Sequence, residues 1–184
     1  HHDTIGSMDD LNAASLGDVK QWFRDYYGAA NTVVVLSGDI TPAVAKEKMQ
    51  KYFGDIAAGP QVPRPQPWIA PRDSSTRGTM TDNVAQTRIY REWNVPGRGS
   101  NDENLLELAA AVLGGSKTSR LYQRLVYQDK LADDVSVDVE QHVLASMFNL
   151  QVDVKKGVDP AKVEAAIADE WQKFLKTGPT ADEL

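Results

Sequence analysis

The chain has 184 residues, enough for one domain or one domain with a short lead segment. Its composition, 41% hydrophobic and 25% charged, allows a packed core beneath an ordinary surface. A net charge of -6 with no Lys/Arg stripe argues against nucleic acid; zero cysteine removes disulfides and thiolate metal sites; no apolar run approaches the roughly 20 residues of a membrane-spanning helix.

The first helix start is Ser15-Leu16-Gly17-Asp18, a hydroxyl followed three residues later by a carboxylate. Leu16, Val19, Phe23, Tyr26 and Tyr27 then share one stripe at helical spacing, and Gly28 ends it. The β-branched run Thr32 to Leu36 predicts a buried strand. Thr41 before Pro42 is an N-cap with proline at the first helical position, opening a helix that carries Ala45, Met49, Tyr52 and Phe53 and stops at Gly54. Pro60, Pro63, Pro65, Pro67 and Pro71 predict an extended connection, with Trp68 as its pin and no domain boundary. Thr79 to Thr81 and Gln86 to Trp93 read as further strands.

Asn101 to Leu113 is apolar almost all round and predicts a buried helix, broken by Gly114-Gly115. A more polar helix follows over Ser119 to Gln128. Two alternations come next: Val135, Val137 and Val139 against Ser136, Asp138 and Glu140, then Phe148, Leu150, Val152 and Val154 against Asn149, Gln151 and Asp153. They predict an antiparallel pair with one apolar and one polar face. Asp159-Pro160 caps a last helix with Val163, Ile167, Trp171 and Phe174 on its core side, ended by Gly178-Pro179. Thr180 to Glu183 reads as the capping box of one more helix, the expectation being a piece of a longer polypeptide. The pattern predicts an α+β two-layer sandwich, a mostly antiparallel sheet with helices on one face.

Chemistry is sparse. The histidines are His1, His2 and His142, and neither H-x-x-E-H nor H-E-x-x-H occurs. His142 with Glu140 supplies two ligands where zinc needs three or four, and His1-His2-Asp3 offers only adventitious binding at a terminus. No metal site and no catalytic residue is therefore expected. Gly114-Gly115-Ser116-Lys117-Thr118 lacks the Gly before Lys and the preceding strand that a phosphate loop requires. No serine sits in G-x-S-x-G.

Several phrases in order resemble the insulinase/pitrilysin, or inverzincin, family of zinc metallopeptidases. They are Thr4 to Asn12; Phe23-Tyr26-Tyr27-Gly28 with Asn31 and Val33-Val34-Val35-Leu36-Ser37-Gly38-Asp39; Tyr52-Phe53-Gly54-Asp55-Ile56; Leu113-Gly114-Gly115 with Ser119-Arg120-Leu121-Tyr122; and Gly178 to Leu184. The resemblance implies an α+β unit repeated along a polypeptide whose two halves enclose a peptide-sized chamber. The family's zinc ligands and water-activating Glu would all lie upstream of His1. By this resemblance residues 1–30 are a lead segment continuing from an upstream unit, and residues 31–184 are one inactive domain of the family's C-terminal type.

Arg120 and Tyr127 have the seven-residue spacing of a substrate-holding pair in the family's other half. Aligned on Ser119-Arg120-Leu121-Tyr122, that pair falls instead at Val126 and Asp133, neither of which donates the needed hydrogen bonds. The resemblance therefore implies a non-catalytic structural and chamber module of a zinc endopeptidase, with zinc held elsewhere in the parent protein and none here. Its partners would be the upstream catalytic unit, the opposing half and a peptide substrate, in a periplasmic or secreted protein. Gly114, Gly115, Ser116, Ser119 and Arg120 are the substrate-contact candidates. The alternative is a module of an inactive homologue serving as scaffold or peptide-binding subunit; a free-standing small-ligand domain is a third reading.

Overall fold

Local capping chemistry sets most helix starts. A computed structural model describes residues 5–184, so His1, His2, Asp3 and Thr4, with the adventitious-metal reading of the first three, lie outside the described residues. The chain divides into two compact units, one to Arg64 and one from Pro65.

In the first unit α1 (Met8–Ala13) starts at Ser7, whose side chain accepts from Asp10 N–H. The capping box at Ser15 and Asp18 opens α2 (Leu16–Tyr26). The Ser15 backbone N–H and hydroxyl both donate to Asp18, holding its carboxyl below the usual range. Thr41 caps α3 (Pro42–Phe53), with proline in the first turn as expected. The chain after α2 is tied to the chain after α3: Ala29 and Ala30 N–H donate to the Ala57 and Ala58 carbonyls at 3.3 and 2.8 Å. A Cβ on Gly28 would lie 2.5 Å from the Ala58 carbonyl oxygen, so that close approach requires glycine. These ties keep residues 29–58 with α2, and the division into two compact units falls inside the proline-rich stretch.

Thr32 to Leu36 departs from expectation. It forms no strand and is exposed, because a strand exists only against a partner and the described residues of the first unit supply none. No described residue of that unit is buried.

The second unit holds the sheet. β1 (Arg88–Pro96), β2 (Ala132–Glu140) and β3 (Ala145–Val154) lie in the order β1-β3-β2, antiparallel throughout. Register places Ile89 and Val135 on either side of Val152, and Val137 beside Leu150. These side chains form the apolar face, covered by α4 (Asn101–Gly114), the short α5 (Arg120–Tyr122) and α6 (Pro160–Thr177). Leu113, Leu121, Leu125, Leu150, Val152, Val163 and Ile167 are at most 1% exposed and make the centre of the core. Trp93 stacks on Trp171 at 4.9 Å, and Phe148 meets both rings edge-on, so β1, β3 and α6 close around three aromatics. The α+β sandwich, with helices on one face of an antiparallel sheet, is as expected.

Other details differ. Thr79 to Thr81 is not a strand. Leu105 and Leu108 of α4 are 65% and 49% exposed, so the helix buries one side only, although its sequence is apolar nearly all round. The polar helix expected over Ser119 to Gln128 is α5 followed by a π-helical turn, Gln123–Gln128, in which Asp129 N–H reaches the Arg124 carbonyl. Lys130, at φ 53, then turns the chain into β2. The proline-rich stretch is pinned by backbone and not by the Trp68 ring: Trp68 N–H donates to the Leu144 carbonyl, and the ring is 68% exposed.

Candidate functional site

The polar sheet face follows from period-two alternation. Ser136, Asp138, Glu140, Asn149, Gln151 and Asp153 all lie on the side away from the helices, half-buried or exposed. β1 widens this face with Arg88, Tyr90, Glu92 and Asn94. Arg88 clamps Asp153 across the strands with bonds of 2.5 and 3.0 Å, and its pKa is raised by that hydrogen bonding. Asn149 donates to Asp138 at 3.3 Å, while its buried Oδ1 has no partner among the described residues. Such an acceptor calls for water or a bound donor.

The loop after α4 is built on tight packing. Gly114 crosses β2 so closely that a Cβ would lie 2.8 Å from Val137 N, and one on Gly115 would lie 2.7 Å from the Ala111 Cα. The adjacent glycines are thus demanded by contact as well as by the helix end. Ser116 Oγ and Thr118 Oγ1 are 2.9 Å apart. Ser119, buried, donates its hydroxyl to the Ser116 carbonyl at 2.6 Å. Gln123 donates to the Lys117 carbonyl at 2.6 Å, so the loop is closed largely on itself.

Arg120 reaches away from this loop. Its guanidinium donates twice to Glu183 at 2.7 Å and once to the Gly178 carbonyl at 2.8 Å, and lies 5.4 Å over the Phe174 ring. The bidentate partner, helped by Thr180 N–H, holds the Glu183 carboxyl at about 2. Gly178, at φ 66, makes the turn that brings this segment back. The Thr180 to Glu183 capping signal is half formed: Glu183 accepts from Thr180 N–H at 2.7 Å. Beside it Arg124 pairs with Asp129 at 2.6 Å and Asp169 at 3.0 Å, and Lys173 pairs with Asp169 at 2.9 Å. A wide, open concavity of about 430 Å³ lies over these groups. Sequence spacing could not show that Arg120 and Glu183 meet, 63 residues apart.

Of the five candidates, Gly114, Gly115, Ser116 and Ser119 form one turn, and the guanidinium of Arg120 is directed to the chain end. Tyr127 is 52% exposed, with its ring 5.6 Å from Tyr122. At the alternative register, Val126 packs against the core and Asp133 is exposed.

The described residues do not fit zinc. Among the described residues no three His, Cys, Asp or Glu side chains group closely enough to hold a metal ion. His142 Nε2 lies 3.3 Å from Glu140 and meets no further ligand among the described residues. Among the described residues no helix is long and apolar enough to cross a membrane.

Comparison with known proteins agrees with this geometry. The family described as "Peptidase M16 inactive domain" matches residues 13–184. A curated relative, zinc protease PqqE of Helicobacter pylori, is 28% identical across the whole chain, which spans 42% of that protein's length. Two solved structures share the fold. A peptidase M16 inactive domain from Pseudomonas fluorescens has a TM-score of 0.79 at 20% identity, over 99% of this chain and 44% of its own. A protease from Helicobacter pylori has a TM-score of 0.76 at 24% identity, over 97% of this chain and 44% of its own. The resemblance to insulinase/pitrilysin zinc metallopeptidases therefore holds, and the chain belongs to the peptidase M16 inactive-domain family.

Proposed function

We propose that this chain is the non-catalytic module of a zinc-dependent endopeptidase, set beside a catalytic unit that carries the metal elsewhere in the same polypeptide. One observation carries this reading: a member of a zinc-protease family that cannot assemble a ligand set from its own described residues. Catalysis of peptide hydrolysis by zinc needs three protein ligands and an open position for water. The polar sheet face, with its clamped Arg88–Asp153 pair and the unpartnered Asn149 oxygen, is the wall this module would offer to a water-filled chamber and its peptide. The self-bonded turn from Gly114 to Ser119 would be a further contact at the chamber's rim, with Arg120 as a positioning residue that fixes the chain end.

The test is a zinc titration of the isolated chain with a peptide-hydrolysis assay, beside the same assays on the longer natural polypeptide. The isolated chain is expected to bind no stoichiometric zinc and cleave nothing, and the longer polypeptide to do both. Tight one-to-one zinc binding by this chain alone overturns the reading. A longer polypeptide without H-x-x-E-H and without hydrolysis overturns the peptidase assignment in favour of a scaffold or peptide-binding homologue.

A further inference from the structure

The segment after α6 hangs on one side chain. Residues 179–184 are exposed, and their own bonds are local: Thr180 N–H donates to the Glu183 carboxylate, and Glu183 N–H to the Thr180 carbonyl. Among the described residues, the hydrogen bonds that tie residues 179–184 to the rest of the second unit all come from the Arg120 guanidinium. Gly178 is the joint. At φ 66 it occupies backbone space that side chains strain, and a Cβ there would meet nothing within 4 Å. One partly exposed ion pair stabilises less than the ordering of residues 179–184 costs in conformational entropy. A segment held this weakly opens locally while the core stays closed.

The receiving side does not depend on Glu183 for its shape. The Arg120 guanidinium lies 5.4 Å over the Phe174 ring, and its side chain is only 15% exposed, so α6 beds it from below. Beside it Arg124 is fixed separately, by Asp129 and by Asp169 and Glu170 of α6. Glu183 forms one wall of the open concavity above these groups, and Thr118, Gln123 and Gln128 line it further. With Glu183 withdrawn, Arg120 would keep its bed and present an open fork of donors to this concavity. The planar fork of a guanidinium matches the two oxygens of a carboxylate. The present occupant also shows the form such a ligand takes: a glutamate offered from a single turn, Thr180-Ala181-Asp182-Glu183.

We propose that Arg120 on its Phe174 bed is a seat for a peptide glutamate, that Glu183 fills this seat in cis, and that residues 179–184 form a strap that swings out about Gly178 when another acidic peptide takes the seat. The seat belongs to the helical layer and not to the polar sheet face. It therefore stands or falls independently of whether the parent protein hydrolyses peptides.

The test is a titration followed by NMR on the Arg120 Nε–H and Glu183 amide signals. The probe is a blocked peptide with the strap's own sequence, residues 179–184. Glu183→Ala vacates the seat and should bind the probe about 5-fold more tightly than the parent chain, the factor by which the strap competes. In the parent chain the probe should move the Glu183 amide signal as the strap is displaced. The same peptide with Gln in place of its Glu should leave the Arg120 signal unmoved. In the Glu183→Ala background Arg120→Lys keeps the charge, loses the fork and should lose binding, with the Val152 and Ile167 methyl signals reporting an intact core. Equal affinity of the parent chain and Glu183→Ala overturns the proposal, as does equal binding of the Gln peptide or binding that survives Arg120→Lys. Inorganic phosphate that shifts the Arg120 signal at the same concentration as the probe overturns it too, in favour of a site for any oxyanion.

Discussion

The two units differ in what holds them. The first has well-capped helices, α2 with a full capping box and α3 with Thr41, yet no described residue in it is buried. The second has a core in which Leu121, Leu125, Val152, Val163 and Ile167 are fully buried. The contrast shows how little capping stabilises by itself. A cap contributes about 1 kcal/mol and fixes where a helix begins. Stability comes from the apolar face finding a partner, and the described residues of the first unit supply none to its own face.

The sharpest way to break this comparison is to truncate one buried residue in the second unit and one aromatic in the first. Ile167→Ala should cost about 3 kcal/mol, read by urea unfolding with the stacked Trp93 and Trp171 as fluorescent probes. Phe23→Ala, at a site 53% exposed, should stay within about 0.5 kcal/mol. A loss above about 1 kcal/mol for Phe23→Ala would mean that the first unit has a core of its own in solution.

Next in size is the α4–β2 crossing. Gly114→Ala should cost about 2 kcal/mol, since its Cβ enters space held by the Val137 backbone. Gly78→Ala, whose Cβ meets nothing within 4 Å, is the control and should lie within about 0.5 kcal/mol. Equal effects at the two sites would deny that the adjacent glycines are there for packing.

A smaller effect tests the tie between Arg120 and the chain end. Glu183→Gln should lower stability by about 1 kcal/mol near neutral pH. The Glu183 carboxyl is held down from 4.5 to about 2, so its contribution is present above the ordinary value and is lost as pH falls toward the lower one. Melting curves of the parent and variant should therefore converge across that acid window; a gap that stays constant to its lower end would show that Arg120 does not hold the charged form. Smallest of all, Asp138→Ala on the polar sheet face should change the melting free energy by less than about 0.5 kcal/mol, as expected of an exposed side chain.

The fold of the second unit was largely legible because its signals are local. Val135, Val137, Leu150 and Val152 alternate with polar neighbours, and Asp159-Pro160 and Gly178 bracket α6. The misses have definite causes. α1, only six residues long, gave too short a pattern to read, although Ser7 caps it. The Ser100 and Glu103 pair at the start of α4 was a readable cap; Glu103 is buried while accepting from Gly99 N–H at 2.5 Å. The π-helical turn in Gln123–Gln128 has no composition of its own and arises where the chain must turn into β2. At the candidate site, the loop positions were legible as a motif, but not the direction of the Arg120 side chain.

By itself, the sequence determined the family, the positions of most helices, the two-faced sheet, and the scarcity of histidine and lack of cysteine. All of these depend on residue identity or on periods of two and 3.6, which neighbours along the chain enforce. Only the tertiary structure decided that Thr32 to Leu36 stands bare, that Gly114 crosses Val137 with no room for a side chain, and that Arg120 is committed to Glu183. Burial and pairing depend on groups remote in sequence, and a hydrophobic run specifies a need for cover without naming what covers it.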